Sequence, residues 1–191
     1  TYLNLTRNEW QQDLIIWPEN AIPLPYGNAA AFLRQLERET KSHATTLITG
    51  IPINDQSSGA TQYYNGIIAI GQGTGIYHKQ KLVPFGEYVP FENLLRGAIT
   101  FFDLPMSNFT VGSDNQTPLT AGDTVIAPYI CYEVVYPDFA ADMARETGLL
   151  ITISNDTWFG KSIGPEQHFQ IARMRALETG RFMIRTTNDG I

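Results

Sequence analysis

The chain predicts an α/β fold, and three observations carry that expectation. Short apolar or β-rich runs at Thr46 to Ile53, Tyr64 to Ile70, Val125 to Cys131 and Leu149 to Ser154 alternate with segments of helical period. Proline opens and glycine closes the helical segments, as Pro137 and Gly148 do around one of them. The 191 residues, 43% of them apolar, suffice for one substantial core, and no repeat or low-complexity linker divides them.

Leu14 to Trp17 is an apolar run closed by Pro18, a buried strand that ends at Glu19. Phe32, Leu33 and Leu36 recur at helical spacing between Asn28 and His43 and give an amphipathic helix. Thr46 to Ile53 and Tyr64 to Ile70 read as paired strands around a polar loop containing Asp55 to Gly59. Gly71, Gly73 and Gly75 form G-Q-G-T-G; a phosphate loop would need a helix next, whereas a strand toward Tyr77 follows, so a hairpin is expected. Residues 82 to 122, rich in Pro, Gly and aromatics without a steady period, read as a long functional loop with short helical pieces. After the Val125 strand, Pro137 to Thr147 is a helix with Phe139, Ala140, Met143 and Ala144 on one face. Glu166 to Gly180 is another, with Phe169, Ala172, Ala176 and Gly180 as a small-residue packing face, and Phe182 to Thr187 is the last strand. The final Asn188-Asp189-Gly190-Ile191 is a turn followed by the start of a further strand, so the chain is expected to be one domain, 1–191, truncated at both ends.

A formal charge of −6 with scattered Lys and Arg leaves no basic stripe and argues against nucleic acid as a partner. A single cysteine makes no internal disulfide, and no stretch approaches the roughly 18 uninterrupted apolar residues of a membrane span. His43, His78 and His168 lack ligand spacing, so no metal and no cofactor are expected, and His168 reads as a helix-start or packing residue.

That one cysteine, Cys131, lies in A-P-Y-I-C-Y-E-V-V-Y-P-D at a strand-to-helix exit, where backbone N–H groups and a helix start favour negative charge on sulfur. The competing reading is a small buried core residue. Glu19 after W-P, Lys79 in Y-H-K-Q-K-L and Glu87 in V-P-F-G-E-Y-V-P stand at strand exits or in the long loop, where α/β folds gather their sites. Singly, each is explained as a solvated charge. Together with Cys131 they supply what acyl transfer through a thiol needs: a base, a cation for the oxyanion and a second proton handler. A free thiol of pKa about 8.5 is only a few per cent ionised at neutral pH. A carboxylate at about 4 Å opposes a neighbouring anion by about 4 kcal/mol at an effective dielectric near 20, so a lysine must offset the glutamates.

Glu19, Lys79 and Cys131 in this order resemble the Glu-Lys-Cys triad of the nitrilase (carbon–nitrogen hydrolase) superfamily. Tyr77 to Glu92, I-C-Y-E-V-V-Y-P-D and the segment from Ser154 to Arg181 are similar, over nearly the whole chain, to the apolipoprotein N-acyltransferase branch of it. The resemblance implies an α-β-β-α sandwich of two sheets between helices, here expected to lack its first strand and those after Ile191. It also implies Glu19 as general base, Lys79 as oxyanion partner, Cys131 as nucleophile and Glu87 as an additional essential carboxylate. Tyr132 and Glu133 would take part in the substrate site, and Trp158 and Phe159 would line its entrance; alone, those two aromatics read equally well as core. Lys81 rivals Lys79 for the lysine, but the Y-x-K register before L-V-P-F-G-E favours 79.

The reaction so implied is ping-pong. An acyl chain moves from a phospholipid to Cys131 as a thioester, then to the N-terminal amine of a diacylglyceryl-cysteine apolipoprotein. The setting implied is the bacterial inner membrane, with the catalytic domain on the periplasmic side, anchored by transmembrane helices absent from this chain. Phe85, Tyr88, Phe91, Phe101 and Phe102 in the long loop favour a lipid substrate. A soluble amidase using the same triad with water as acceptor, and a non-catalytic binding module, are the competing readings.

Overall fold

A computed structural model describes residues 1–57, 59–88 and 108–189. The expected aromatics Phe91, Phe101 and Phe102 lie outside the described residues. Two sheets stack face to face with helices on their outer sides, the expected α-β-β-α order. The first sheet runs β1 (Leu14–Ile16), β2 (Thr46–Asp55), β3 (Gln62–Gly71) and β5 (Ile76–His78); β1 is parallel to β2 and the rest are antiparallel. The second runs β4 (Gly73–Thr74), β6 (Leu119–Ala121), β7 (Thr124–Ile130), β8 (Leu149–Ser154) and β9 (Phe182–Thr187), parallel from β7 onward.

Between the sheets, Ile48, Ile67, Ala69 and Tyr77 meet Leu119, Ile126, Ile130, Ile151 and Ile153. β2 and β8 are buried on both faces, which is why their sequences read as continuous apolar runs rather than alternating ones. Helices α1 (Tyr2–Thr6) and α2 (Ala30–Ser42) cover the first sheet, where Leu36 packs with Trp10, Trp17, Leu47 and Ile51. Helices α3 (Pro137–Ala144) and α4 (Gly164–Thr179) cover the second, through Ala140, Ala144 and Ala172 on Ala127, Tyr129 and Leu150. Among the described residues no helix is long and apolar enough to cross a membrane.

The glycine-rich turn is more than a hairpin. After β3, Gly73 and Thr74 cross to the second sheet and pair with β6 before β5 returns to pair with β3. A Cβ on Gly73 would stand 2.3 Å from the Thr120 carbonyl oxygen, so the crossing needs glycine. The 82 to 122 stretch likewise contains a true strand, β6, that its irregular pattern hid. Helix α4 starts two residues before the expected Glu166, with Pro165 in its first turn. Its buried stripe is His168, Ala172 and Arg175, so the expected Phe169 and Gly180 face is corrected: Phe169 is 39% exposed. At the far edge of the second sheet Phe182 and Ile184 of β9 are open to solvent.

Candidate active site

Three carboxyl or ammonium groups from the first sheet converge beside the end of β7. Trp17 anchors the first of them: its indole N–H donates to Thr6 Oγ1 (2.9 Å) and its backbone N–H to the Ile48 carbonyl (2.9 Å), so the chain leaves β1 at a fixed angle. Glu19 follows, 6% exposed, and Gly50 on β2 presses against it, since a Cβ there would lie 2.6 Å from Asn20 N and 2.8 Å from Glu19 Cα. Lys79 leaves β5 with its backbone N–H on the Asn65 carbonyl and its carbonyl on the Gly112 N–H, both at 2.8 Å. A tight turn over residues 83 to 87 presents Glu87, whose Oε2 accepts from the Val83 N–H at 2.8 Å.

The Lys79 ammonium, 1% exposed, donates to Glu87 at 2.9 Å and stands 3.9 Å from Glu19 Oε1. Burial depresses it, but Glu19 and Glu87 outweigh burial and hold it above the ordinary lysine range, fully charged. Lys81, the rival, lies over the Phe139 ring of α3 instead, at 5.3 Å. Asn65 on β3 ties the two carboxylates together: its amide nitrogen donates to Glu19 Oε1 (2.8 Å) and Glu87 Oε1 (2.7 Å). Sequence reading missed it. The signal was an asparagine in the middle of Y-Y-N-G-I-I-A-I, a position where a strand facing a core carries an apolar residue.

Cys131 caps β7 with φ of +52°, the left-handed region that favours glycine, and opens a 3₁₀ turn, Cys131–Val135, that separates it from α3. The expected strand-to-helix exit is thus a strand-to-3₁₀-turn exit, and α3 starts only at Pro137. Burial, then Glu19, push the thiol up, Lys79 pulls it down, and Glu87 and Asp156 push again; the balance is a thiol pushed up to about 12. Sulfur rests as S–H among carboxylates, one of which must take its proton. That is an arrangement for general-base rather than thiolate chemistry.

Tyr132, 38% exposed, packs edge-on against Tyr136 with ring centroids 5.8 Å apart. Glu133 is different and corrects the expectation of a substrate contact: it is fully buried, and its oxygens accept from Tyr77 Oη (2.8 Å) and the backbone N–H groups of Gln80 (2.7 Å), Lys81 (3.1 Å) and Ile130 (2.8 Å). It bolts the Cys131 turn to the segment that carries Lys79. Complete burial pushes its carboxyl up, against Lys79 and the three N–H groups, which pull it down.

After β8, the Asn155 N–H donates to Glu19 Oε2 at 2.8 Å, so the turn Asp156–Phe159 starts beside that carboxylate. Trp158 stands 76% exposed on that turn, while Phe159 is half-buried with its ring edge-on to His168. His168 is no simple packing residue: it is 3% exposed, with Nε2 3.1 Å from the Cys131 carbonyl oxygen and Nδ1 3.1 Å from Asp156 Oδ1. Arg185 of β9 pairs with the other oxygen of Asp156.

Known proteins share this architecture and much of this sequence. Over its whole length the chain is 54% identical to an apolipoprotein N-acyltransferase of Pseudomonas syringae pv. tomato, covering 38% of that protein, and 43% identical to one of Vibrio vulnificus, covering 39%. It is 57% identical over 94% of its length to one of Azotobacter vinelandii, covering 35%. The chain thus spans well under half of the curated relatives it matches. A carbon-nitrogen hydrolase from Helicobacter pylori superposes with a TM-score of 0.68 at 18% identity, covering 97% of this chain and 67% of its own. The NitFhit protein of C. elegans gives 0.67 at 16%, covering 97% and 45%. The carbon-nitrogen hydrolase family model matches residues 2–191. With two stacked sheets of this order and a model match along almost every residue, the chain belongs to the carbon–nitrogen hydrolase family.

Proposed function

We propose that this chain carries the catalytic centre of an apolipoprotein N-acyltransferase, with Cys131 as nucleophile, Glu19 as general base, Lys79 as oxyanion partner and Glu87 as the carboxylate that holds Lys79. The observation that carries this reading is the buried Glu19–Lys79–Glu87 cluster, cross-linked by Asn65, whose charges act on the Cys131 thiol. The names of the relatives supply the reaction class.

In the first half-reaction Glu19 takes the Cys131 proton as Sγ attacks the acyl carbonyl of a phospholipid ester. Lys79 and the Tyr132 backbone N–H receive the developing oxyanion. The ester C–O bond then breaks, Glu19 returns the proton to the glycerol oxygen, and a lysophospholipid leaves a Cys131 thioester. In the second, the amine of a diacylglyceryl-cysteine attacks that thioester, Glu19 accepts the N–H proton, the C–S bond breaks and the proton returns to sulfur. Trp158 and Phe159 line the entrance beside Glu19, and Tyr132 flanks the sulfur. The donor sits in the bacterial inner membrane, with this domain on its periplasmic side.

The test uses the full-length protein in vesicles containing phosphatidylethanolamine, followed by mass spectrometry of the Cys131 peptide. A fatty-acyl mass on sulfur, absent from Cys131→Ala, is expected. Unmodified sulfur in folded, membrane-embedded protein overturns the reading. Turnover of short amides without lipid moves the assignment to an amidase.

A further inference from the structure

His168 sits where both of its ring nitrogens face acceptors. Nε2 meets the Cys131 carbonyl, which can only accept, and Nδ1 meets one carboxylate oxygen of Asp156, whose other oxygen pairs with Arg185. The carbonyl contact therefore asks for a proton on Nε2. The carbonyl in question belongs to the peptide that joins Cys131 to Tyr132. In a trans peptide the N–H points opposite to the C=O, so a donor on the carbonyl fixes where the Tyr132 N–H points.

We infer that His168, donating from Nε2 to the Cys131 carbonyl and held by Asp156 at Nδ1, is a positioning residue that orients and polarises the Cys131–Tyr132 peptide so that the Tyr132 N–H serves as an oxyanion donor. The hydrogen bond from Nε2 draws electron density toward the carbonyl oxygen and makes the N–H at the other end of the peptide a better donor. It also holds Cys131 in its left-handed conformation, which the backbone of a non-glycine residue resists. The chain of contacts starts at the edge of the sheet: Arg185 on β9, Asp156 after β8, His168 on α4, then the nucleophile's own carbonyl. This role rests on Cys131 being the nucleophile proposed above.

The test compares two reactions of the same sulfur in the full-length protein in phosphatidylethanolamine vesicles. Acylation by phospholipid develops an oxyanion; alkylation by iodoacetamide does not. His168→Phe is expected to slow single-turnover acylation by about 10- to 100-fold, the range toward loss of one oxyanion donor. Alkylation should stay within about twofold and the lipid KM should hold. His168→Gln, which keeps an N–H for the carbonyl, should recover part of the loss. Parallel loss of both reactions, or unchanged acylation, overturns the inference. Should His168→Phe fail to fold, the ¹⁵N spectrum of histidine-labelled wild type decides: a proton on His168 Nε2 supports the role, and a bare Nε2 removes it. A wild type that takes no acyl group overturns the transferase reading instead, and the same spectrum still judges His168.

Discussion

The first sheet brings charge to the site and the second brings sulfur, and the two halves are stabilised in opposite ways. Glu19, Asn65, Lys79 and Glu87 all come from the first sheet or its exits, and they pair with one another. Cys131, Asp156 and His168 come from the second, where a left-handed residue is restrained by hydrogen bonds to its neighbours. Among the described residues, the Asn155 N–H to Glu19 and Glu133 to Tyr77, Gln80 and Lys81 tie the two halves at the site. Balanced charge can be buried beforehand. A reactive sulfur must instead be kept neutral and in place until its base is needed.

The strongest way to break this division is Lys79→Ala. It leaves two buried carboxylates facing each other, and removing one partner of such a set costs about 3–5 kcal/mol. Activity should vanish and the urea midpoint should fall, with a larger loss than either Glu19→Gln or Glu87→Gln produces. Equal losses in all three would mean that the lysine is no more than one member of a hydrogen-bond chain.

A finer test moves the base without touching its chemistry. Gly50→Ala places a methyl group against the backbone of Glu19 and Asn20, which must shift. Misplacement on the order of 1 Å costs about 10²-fold in rate. Acylation should drop by 10- to 100-fold, while iodoacetamide still labels Cys131, because the second sheet is untouched. Loss of labelling would show that the halves are not independent.

The smallest effect is a pH dependence of stability. With its thiol pushed up to about 12 in the fold, Cys131 favours the folded state fully below the ordinary thiol range. That contribution is lost as pH rises from there toward the folded value, because the unfolded chain gives up the proton first. Wild type should therefore lose urea resistance between pH 8 and about 10.5 faster than Cys131→Ala does; the difference between the two cancels the buried tyrosines. Parallel curves would remove the buried-thiol account.

What the sequence disclosed follows the same line. Cys131, Glu19, Lys79 and Glu87 sit in short motifs next to Pro or aromatic residues, and the layered order of strands and helices is written in their alternation. The supports were illegible because their partners are remote in the chain: Asn65 binds Glu19 across 46 positions, and His168 binds Cys131 across 37. Glu133 was legible as important, but its neighbour-like position after the nucleophile suggested a substrate contact where the fold has made it a bolt. β4 and β6 are two and three residues long, too short for any period to register.

The positive φ at Cys131 carries one practical consequence. Cys131→Ala keeps an L side chain in a region worth roughly 1–2 kcal/mol of steric cost, whereas Cys131→Gly releases it. Under the proposed function, an inert form intended to trap the donor is thus better made with glycine than with alanine, and the side chain the proposed chemistry needs is also the one this backbone would soonest exchange.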